Sequence, residues 1–281
     1  MTNESKKMSL SNDIKIMLLL MVAVVILNVF FPWSKVFIAA AVAVGCCAIA
    51  FMHGIKYYGS RNLIIFFLIC WAVSNFFEGL SIHTGFPFGN YHYEIPGPRI
   101  WDVPIVIMPA YFGMGYFAWV ISLAINKQYE KKLSGIKTFL VPFTAAFIMV
   151  MWDVVLDPTA STLNGNWIWE DGGTFFNIPI SNFCGWYFVV YVFMQIFALY
   201  ISKADTKERV ISDYPAAYWY IGPVVYMMQG LSYVETAIVR QDNLEIWHYA
   251  GMIGVFTLCF VAWIGLIIIH DYFKELRNSK N

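Results

Sequence analysis

Charged residues are scarce in this chain of 281 residues: they make up 13% of it, against about 25% in soluble domains. Hydrophobic residues account for 59% and aromatic residues for 19%. This balance excludes an ordinary soluble domain and indicates an integral membrane protein. The net charge is zero and the lysines form short clusters rather than one basic face, so no nucleic-acid partner is expected.

Several cofactor and metal motifs are also missing. The five cysteines lie in apolar runs without CxxC spacing, where a thiol behaves as a small hydrophobe. No GxGxxG or phosphate loop occurs, and the five histidines form neither the histidine boxes of membrane di-iron hydroxylases nor an HExxH zinc motif. We therefore expect no metal and no cofactor. His83 and His92 are more typical of hydrogen-bonding loop residues than of ligands.

Long apolar runs dominate the chain instead. A membrane-crossing helix needs about 20 mostly apolar residues. On that rule the sequence predicts an all-α integral membrane protein with eight transmembrane helices, at residues 14–31, 36–52, 63–80, 103–125, 136–156, 183–201, 216–238 and 247–270. A signal peptide is not expected, because the first run is long enough to span and lacks a small-x-small cleavage site.

The distribution of positive charge supports this count. With the N-terminus in the cytoplasm, all but three of the 18 lysines and arginines fall on the inner side, as the positive-inside rule requires. The three on the outer side are Lys35, Arg99 and Arg240. We therefore expect one multi-pass domain in the cell membrane, with cytoplasmic tails at residues 1–13 and 271–281.

Two polar stretches on the outer side, residues 78–102 and 153–182, resemble each other. The first contains the box Gly-Asn-Tyr-His-Tyr-Glu at 89–94, and the second contains Gly-Asn-Trp-Ile-Trp-Glu at 165–170. Each box follows a carboxylate at the end of an apolar run. The pattern predicts two tandem hairpins of like orientation, residues 63–125 and 136–201, facing a shared cavity. A weaker likeness to the start of the first polar stretch occurs at residues 232–235, Ser-Tyr-Val-Glu. It is either a third copy of the pattern or a chance match.

Four carboxylates stand at the outer, C-terminal ends of predicted helices: Glu78, Asp153, Asp157 and Glu235. The helix dipole and partial burial both favour the protonated form of such acids, which suits them to proton donation. Asp153 and Asp157 are four residues apart and share a helix face, and Pro158 is expected to end that helix. The alternative is that these carboxylates are only solvated groups at the ends of helices. Ionisable groups within a membrane region, however, are functional by default.

Aromatic residues crowd the same two stretches. They are typical of an interfacial belt, and they also suit a pocket for a long apolar substrate in which ring faces stabilise a transient cation. The rings that the two boxes contribute are Tyr91, Tyr93, Trp167 and Trp169.

Longer strings carry a resemblance to a known family. They are Thr-Gly-Phe-Pro-Phe-Gly at 84–89, Leu-Asp-Pro at 156–158, Trp-Ile-Trp-Glu at 167–170 and Pro-Ile-Ser-Asn-Phe-Cys-Gly-Trp at 179–186. Over residues 63–265 the chain resembles the membrane carotenoid hydratases. These include archaeal bisanhydrobacterioruberin hydratases, bacterial acyclic-carotene 1,2-hydratases and archaeal enzymes that form hydroxyarchaeol-type lipids. The resemblance implies addition of water to a trisubstituted isoprenoid double bond, which gives a tertiary alcohol without a redox cofactor.

The residues and the resemblance together suggest acid catalysis. Asp153 or Asp157 would protonate the alkene, and Glu78 or Glu170 would hold the attacking water. The predicted substrate-binding residues around these acids are Tyr91, Tyr93, Trp167, Trp169, His83, His92, Asn90, Asn166, Asn182, Glu235 and Arg99.

Two substrates stay open at this point. A geranylgeranyl chain of an archaeal ether phospholipid is slightly favoured, because the composition lacks the acidic surface of a halophile. An acyclic carotenoid end group is the alternative. Arg99 and Arg240 could receive a lipid phosphate or act as interfacial anchors. A non-catalytic isoprenoid-binding or transport protein is the alternative of another class, although a parallel repeat with its polar groups at one face favours an enzyme or receptor over a carrier.

Overall fold

The computed structural model describes residues 11–30, 35–128, 132–204, 211–240 and 242–279, and helices make up most of this part of the chain. They are α1 (Asn12–Phe30), α2 (Lys35–Tyr58), α3 (Ser60–Thr84), α4 (Met108–Ile125), α5 (Lys137–Asp157), α6 (Ile180–Ala204), α7 (Ala216–Val239), α8 (Leu244–Gly254) and α9 (Phe260–Asn278). Four short strands lie between them: β1 (Tyr91–Tyr93), β2 (Arg99–Ile100), β3 (Val103–Pro104) and β4 (Trp167–Trp169). The expected all-α fold class is confirmed. Residues 1–10 and 280–281 of the predicted tails lie outside the described residues.

Each of the eight predicted spans coincides with a helix, the last one with α8 and α9 joined by a π-helical turn, Val255–Cys259. Within the described residues, five helical segments are long and apolar enough to cross a membrane. They are Ser60–Thr84, Ile105–Ile125, Lys137–Leu163, Ile180–Ala204 and Glu245–Asn278. The molecule is therefore a membrane protein. Eight crossings, the side on which each end lies and the tandem repeat stay predictions.

The prediction that Pro158 ends its helix is wrong. α5 continues from Asp157 directly into a π-helical turn, Pro158–Leu163. Proline lacks the backbone N–H, and its ring crowds the carbonyl four residues earlier. The wider π turn accommodates the ring, and such turns are frequent at functional sites.

The predicted start of the fourth span is also corrected. Val103–Pro104 is strand β3 rather than helix, and a single 3-10 turn, Ile105–Ile107, precedes α4. The reason is local, because Pro104 disfavours the helical conformation of the residue before it.

Helix α4 lies at the centre of the bundle. It packs against α2, α3, α5, α7 and α9, and its side chains from Tyr111 to Ala124 are buried all round. An all-round apolar helix is expected in such a position. α3 packs on α6, and α5 packs along α6, so α3 to α6 form the four helices that carry the two polar loops.

The two Gly-Asn boxes pair with each other in the structure. β1 and β4 run antiparallel, with Tyr91 opposite Trp169, His92 opposite Ile168 and Tyr93 opposite Trp167. Two backbone hydrogen bonds flank these pairs, from Glu170 N to Asn90 O and from Glu94 N to Asn166 O, both at 2.9 Å. We call this element the box sheet. It places both polar loops at one end of the bundle.

Two serines fix the first loop beneath the box sheet. Ser81 Oγ of α3 accepts from Phe88 N at 3.1 Å and donates to Gly89 O at 2.9 Å. Ser181 Oγ of α6 donates to Phe88 O at 2.8 Å. Gly185 allows this approach, because a Cβ there would lie 2.8 Å from the carbonyl oxygen of Pro87. The loop is thus held on the ends of α3 and α6.

Candidate active site

The box sheet turns one face towards the helices and one face outward. Side chains alternate along a strand, and accordingly Tyr91 and Tyr93 are buried while Ile168 is exposed. Trp169 is also buried, and its ring lies 5.0 Å from that of Tyr91. The inward face therefore forms an aromatic lid over the ends of α3 and α5.

Glu78, on α3, lies beneath this lid and is only 3% exposed. Three phenols donate hydrogen bonds to its carboxylate. Tyr91 and Tyr93 of β1 both reach Oε2, the latter at 2.9 Å, and Tyr111 of α4 reaches Oε1. An ionised carboxylate acts only as an acceptor, and hydrogen bonds to a charged group are stronger than neutral ones. The arrangement is suited to an anionic Glu78.

Burial raises the pKa of Tyr91 and of Tyr93 well above the usual value for a phenol. The neighbouring negative charge of Glu78 adds to this effect, because it disfavours a second anion. Both phenols therefore remain neutral and can donate hydrogen bonds at any ordinary pH.

Asp153 and Asp157 lie one turn apart on α5, and each is 1% exposed. A single amide joins them: Asn182 Nδ2 of α6 donates to Asp153 Oδ2 at 3.0 Å and to Asp157 Oδ2 at 2.7 Å. Trp167 Nε1 of the box sheet also donates to Asp157 Oδ1, at 2.9 Å. Two adjacent buried carboxylates are costly when both are charged, so this pair is suited to sharing one proton.

The two sets of acids belong to one site. The ring of Tyr93, which bonds Glu78, lies 6.0 Å from the ring of Trp167, which bonds Asp157. We call Glu78, Asp153 and Asp157 the acid cluster. Among the described residues, no three His, Cys, Asp or Glu side chains form a group that could hold a metal ion.

Stacked rings form one wall of the acid cluster. Tyr111 lies parallel to Trp186 of α6, with centroids 4.5 Å apart and an interplanar angle of 5°. Trp152 of α5 meets Trp186 edge-on at 6.2 Å. Ring faces attract cations, most strongly where water is excluded. The wall can therefore stabilise positive charge that develops beside the acids.

Glu170, predicted as a catalytic residue, lies outside the acid cluster. Its side chain is exposed on the outward face of the box sheet and pairs with His92 Nδ1. His92 Nε2 in turn lies 2.9 Å from Glu94 Oε1. These three residues form an exposed polar network that connects the two boxes.

The other predicted binding residues also lie apart from the acids. His83 pairs with Asp102 at 3.2 Å, and Asn90 Nδ2 donates to Asp171 Oδ2 at 2.5 Å. The backbone carbonyl oxygen of Asn166 accepts a hydrogen bond from Glu94 N at the edge of the box sheet. Arg99 donates to the carbonyl oxygens of Tyr93 and Ile95 at 2.8 and 3.1 Å. Glu235 is half-buried on α7, where its buried Oε2 has no hydrogen-bond partner among the described residues. The structure thus brings together Glu78, Asp153, Asp157, Tyr91, Tyr93, Trp167, Trp169 and Asn182.

Tyr111 is the residue of this site that sequence reasoning missed. It lies within an apolar span and belongs to no motif. The sequence signal for its role is a single hydroxyl group near the start of α4, where the neighbouring side chains are apolar. Only the packing of α4 against α3 shows that the hydroxyl meets Glu78.

These features define a helical membrane protein with a buried acid cluster under an aromatic lid. The chain belongs to the carotenoid biosynthesis protein family, whose family model matches residues 34–240. The resemblance seen in the sequence is therefore confirmed, and the protein has a role in carotenoid or isoprenoid biosynthesis. No curated protein and no solved structure matches the chain.

Proposed function

We propose that the protein is a hydratase that adds water to a trisubstituted isoprenoid double bond by acid catalysis. The observation that carries the proposal is the bridge from Asn182 to two buried aspartates. Such a pair can hold one proton in an apolar site, and protonation of an alkene needs an acid held close to the double bond. Family membership supports an isoprenoid substrate.

The donors around each acid suggest how the roles are divided. Asp157 accepts from both Asn182 and Trp167, whereas Asn182 is the described donor to Asp153. Asp153 is therefore the less stabilised anion and the member of the pair that holds the proton. Glu78, with three phenol donors, is the fixed negative charge.

The reaction then proceeds in two steps. Asp153 gives its proton to the less substituted alkene carbon, so a C–H bond forms as the π bond breaks. The tertiary cation is stabilised by the ring faces and by the charge of Glu78. Water attacks the cation, and the aspartate pair takes up the proton that the water releases, so the pair again holds one proton. The product is a tertiary alcohol, and the acid cluster returns to its starting state.

We propose an acyclic carotenoid end group as the substrate. The family description supports it, and the apolar aromatic wall suits a polyene terminus. A geranylgeranyl chain of an ether phospholipid is the second candidate. The position of the aspartates favours it, because Asp153 lies one turn from the end of α5, Asp157 is its last residue, and a double bond near a headgroup would lie close to a helix end.

Expression of the chain in hosts that make lycopene or geranylgeranyl ether lipids tests the reaction. Mass spectrometry should show that either the carotenoid or the ether lipid gains the mass of one water molecule. The compound that gains this mass is the substrate. If neither class changes while the protein is folded in the membrane, the hydratase proposal is wrong and a binding or transport role is favoured.

A further inference from the structure

An open groove, away from the acid cluster, lies between α7 and α8. Its volume is about 600 Å³, within the range of small-molecule sites. It lies at the box-sheet end of the bundle, where Tyr249 of α8 packs 5.2 Å from Phe175 of the second loop. The groove is lined by Val234, Ala237, Ile238, Arg240, His248, Gly251, Met252, Val255 and Phe256.

One side of this groove is an open apolar surface. Ile238 and Phe256 are each 73% exposed, and Met252 is 54% exposed. Its floor is a close helix crossing, because a Cβ on Gly251 would lie 3.0 Å from the Cβ of Ala237. Small residues at such crossings let membrane helices approach closely. The groove is therefore apolar, has a closely packed floor and is open on the outer surface of the bundle.

Arg240 lies at one end of the groove, and one of its hydrogen-bond donors has no acceptor among the described residues. Arg240 lies 5.6 Å from the centre of the Trp247 ring, and its NH1 is 3.5 Å from Asp242 Oδ1. Its Nε is buried without a hydrogen-bond partner among the described residues. A buried unpaired donor is costly, and an added acceptor oxygen would satisfy it. His248, exposed beside the groove, can provide a second donor.

We propose that this groove binds one acidic phospholipid. The phosphate would accept from Arg240 and His248, and one hydrocarbon chain would lie along Ile238, Met252 and Phe256. Charge complementarity supports this occupant, since guanidinium is well matched to phosphate. A free anion would leave the apolar wall uncovered. The site is separate from the acid cluster and does not depend on the hydratase proposal.

Native mass spectrometry of the purified full chain in a neutral detergent tests the site. Titration with phosphatidylglycerol should show one tightly held lipid, and phosphatidylcholine should bind less tightly. Arg240→Gln should weaken phosphatidylglycerol binding about tenfold, because it removes the charged donor to phosphate. Arg61→Gln is the matched control, since Arg61 is an exposed arginine on α3, outside the groove.

Two further measurements keep the test decisive. His248→Gln alters an exposed side chain and should weaken lipid binding in the same direction even if Arg240→Gln fails to fold. Inorganic phosphate should not raise the melting temperature as phosphatidylglycerol does. The proposal would be overturned if His248→Gln and every folded Arg240→Gln protein bound phosphatidylglycerol as tightly as the wild type does. It would also be overturned if inorganic phosphate raised the melting temperature as much as phosphatidylglycerol does.

Discussion

At the scale of single residues, hydrogen-bond donors distinguish three buried acids of similar chemistry. Glu78 accepts from three phenols, whereas Asp153 and Asp157 share one amide. A carboxylate with several donors is stabilised as an anion, and a crowded pair with few donors favours a shared proton. This difference supports the proposed division of roles, in which one buried site contains both a proton donor and a negative charge.

Asn182→Leu should damage both activity and stability. The substitution keeps a side chain of similar volume but leaves Asp153 and Asp157 without their common donor. A buried acceptor left without its partner costs about 1 to 3 kcal/mol. Hydration assays on membranes and thermal unfolding in detergent would measure the two effects. Asn164→Leu, at an exposed position of the second polar stretch, is the control, and equal behaviour of the two variants would contradict the role of Asn182.

Part of the site could be predicted from single residues. Glu78, Asp153 and Asp157 were identified because each carboxylate lies at the end of an apolar run. Glu170 was grouped with them, yet it lies on the outward face because side chains alternate along a strand. Treating each box as a strand would have separated Trp167 and Trp169 from Glu170. The contact of Tyr111 with Glu78 depends on tertiary packing, which no local pattern contains.

At the scale of elements, the box sheet connects two loops that are far apart in the chain. Its inward face covers the acid cluster, and its outward face carries the polar contacts of His92 with Glu94 and Glu170. The likeness of the two boxes was visible in the sequence, but their pairing was not, because strand pairing over such a separation depends on how the helices pack. The π turn after Asp157 was missed for another reason, since proline usually ends a helix.

A disulfide can test the pairing of the boxes. His92 and Ile168 stand directly opposite each other, and Cα atoms in such pairs lie about 4.5 to 5.5 Å apart, within the reach of a disulfide. In a Cys184→Ser background, His92→Cys with Ile168→Cys should form an intramolecular disulfide under mild oxidation. Each single cysteine variant is a control. If the double variant stays reduced while folded, the boxes do not pair as described.

At the scale of the whole molecule, the length of apolar runs predicted the helices well. Every predicted span coincides with a helix, because the need to satisfy backbone hydrogen bonds in lipid leaves few alternatives. The central position of α4 and the groove between α7 and α8 were not predictable. Both depend on which apolar faces meet, and apolar runs of similar composition do not specify their neighbours.

Labelling of cysteines in intact cells tests the predicted topology. In a Cys184→Ser background, Glu94→Cys should react with a membrane-impermeant maleimide, because Glu94 is exposed at the box-sheet end. Lys274→Cys, near the end of α9, should react only after the cells are opened. The reverse result would show that the box-sheet end faces the cytoplasm.

The central claim is that the buried aspartate pair adds water to an isoprenoid double bond. Membranes containing the protein, supplied with an acyclic carotenoid in heavy-oxygen water, should form a tertiary alcohol that carries the heavy oxygen. Asp153→Asn should lower the rate at least about 100-fold, the contribution of a general acid. Asp171→Asn, which alters an exposed aspartate bonded to Asn90, should leave the rate unchanged. Hydration at the wild-type rate by Asp153→Asn, or an alcohol without heavy oxygen, would contradict this mechanism.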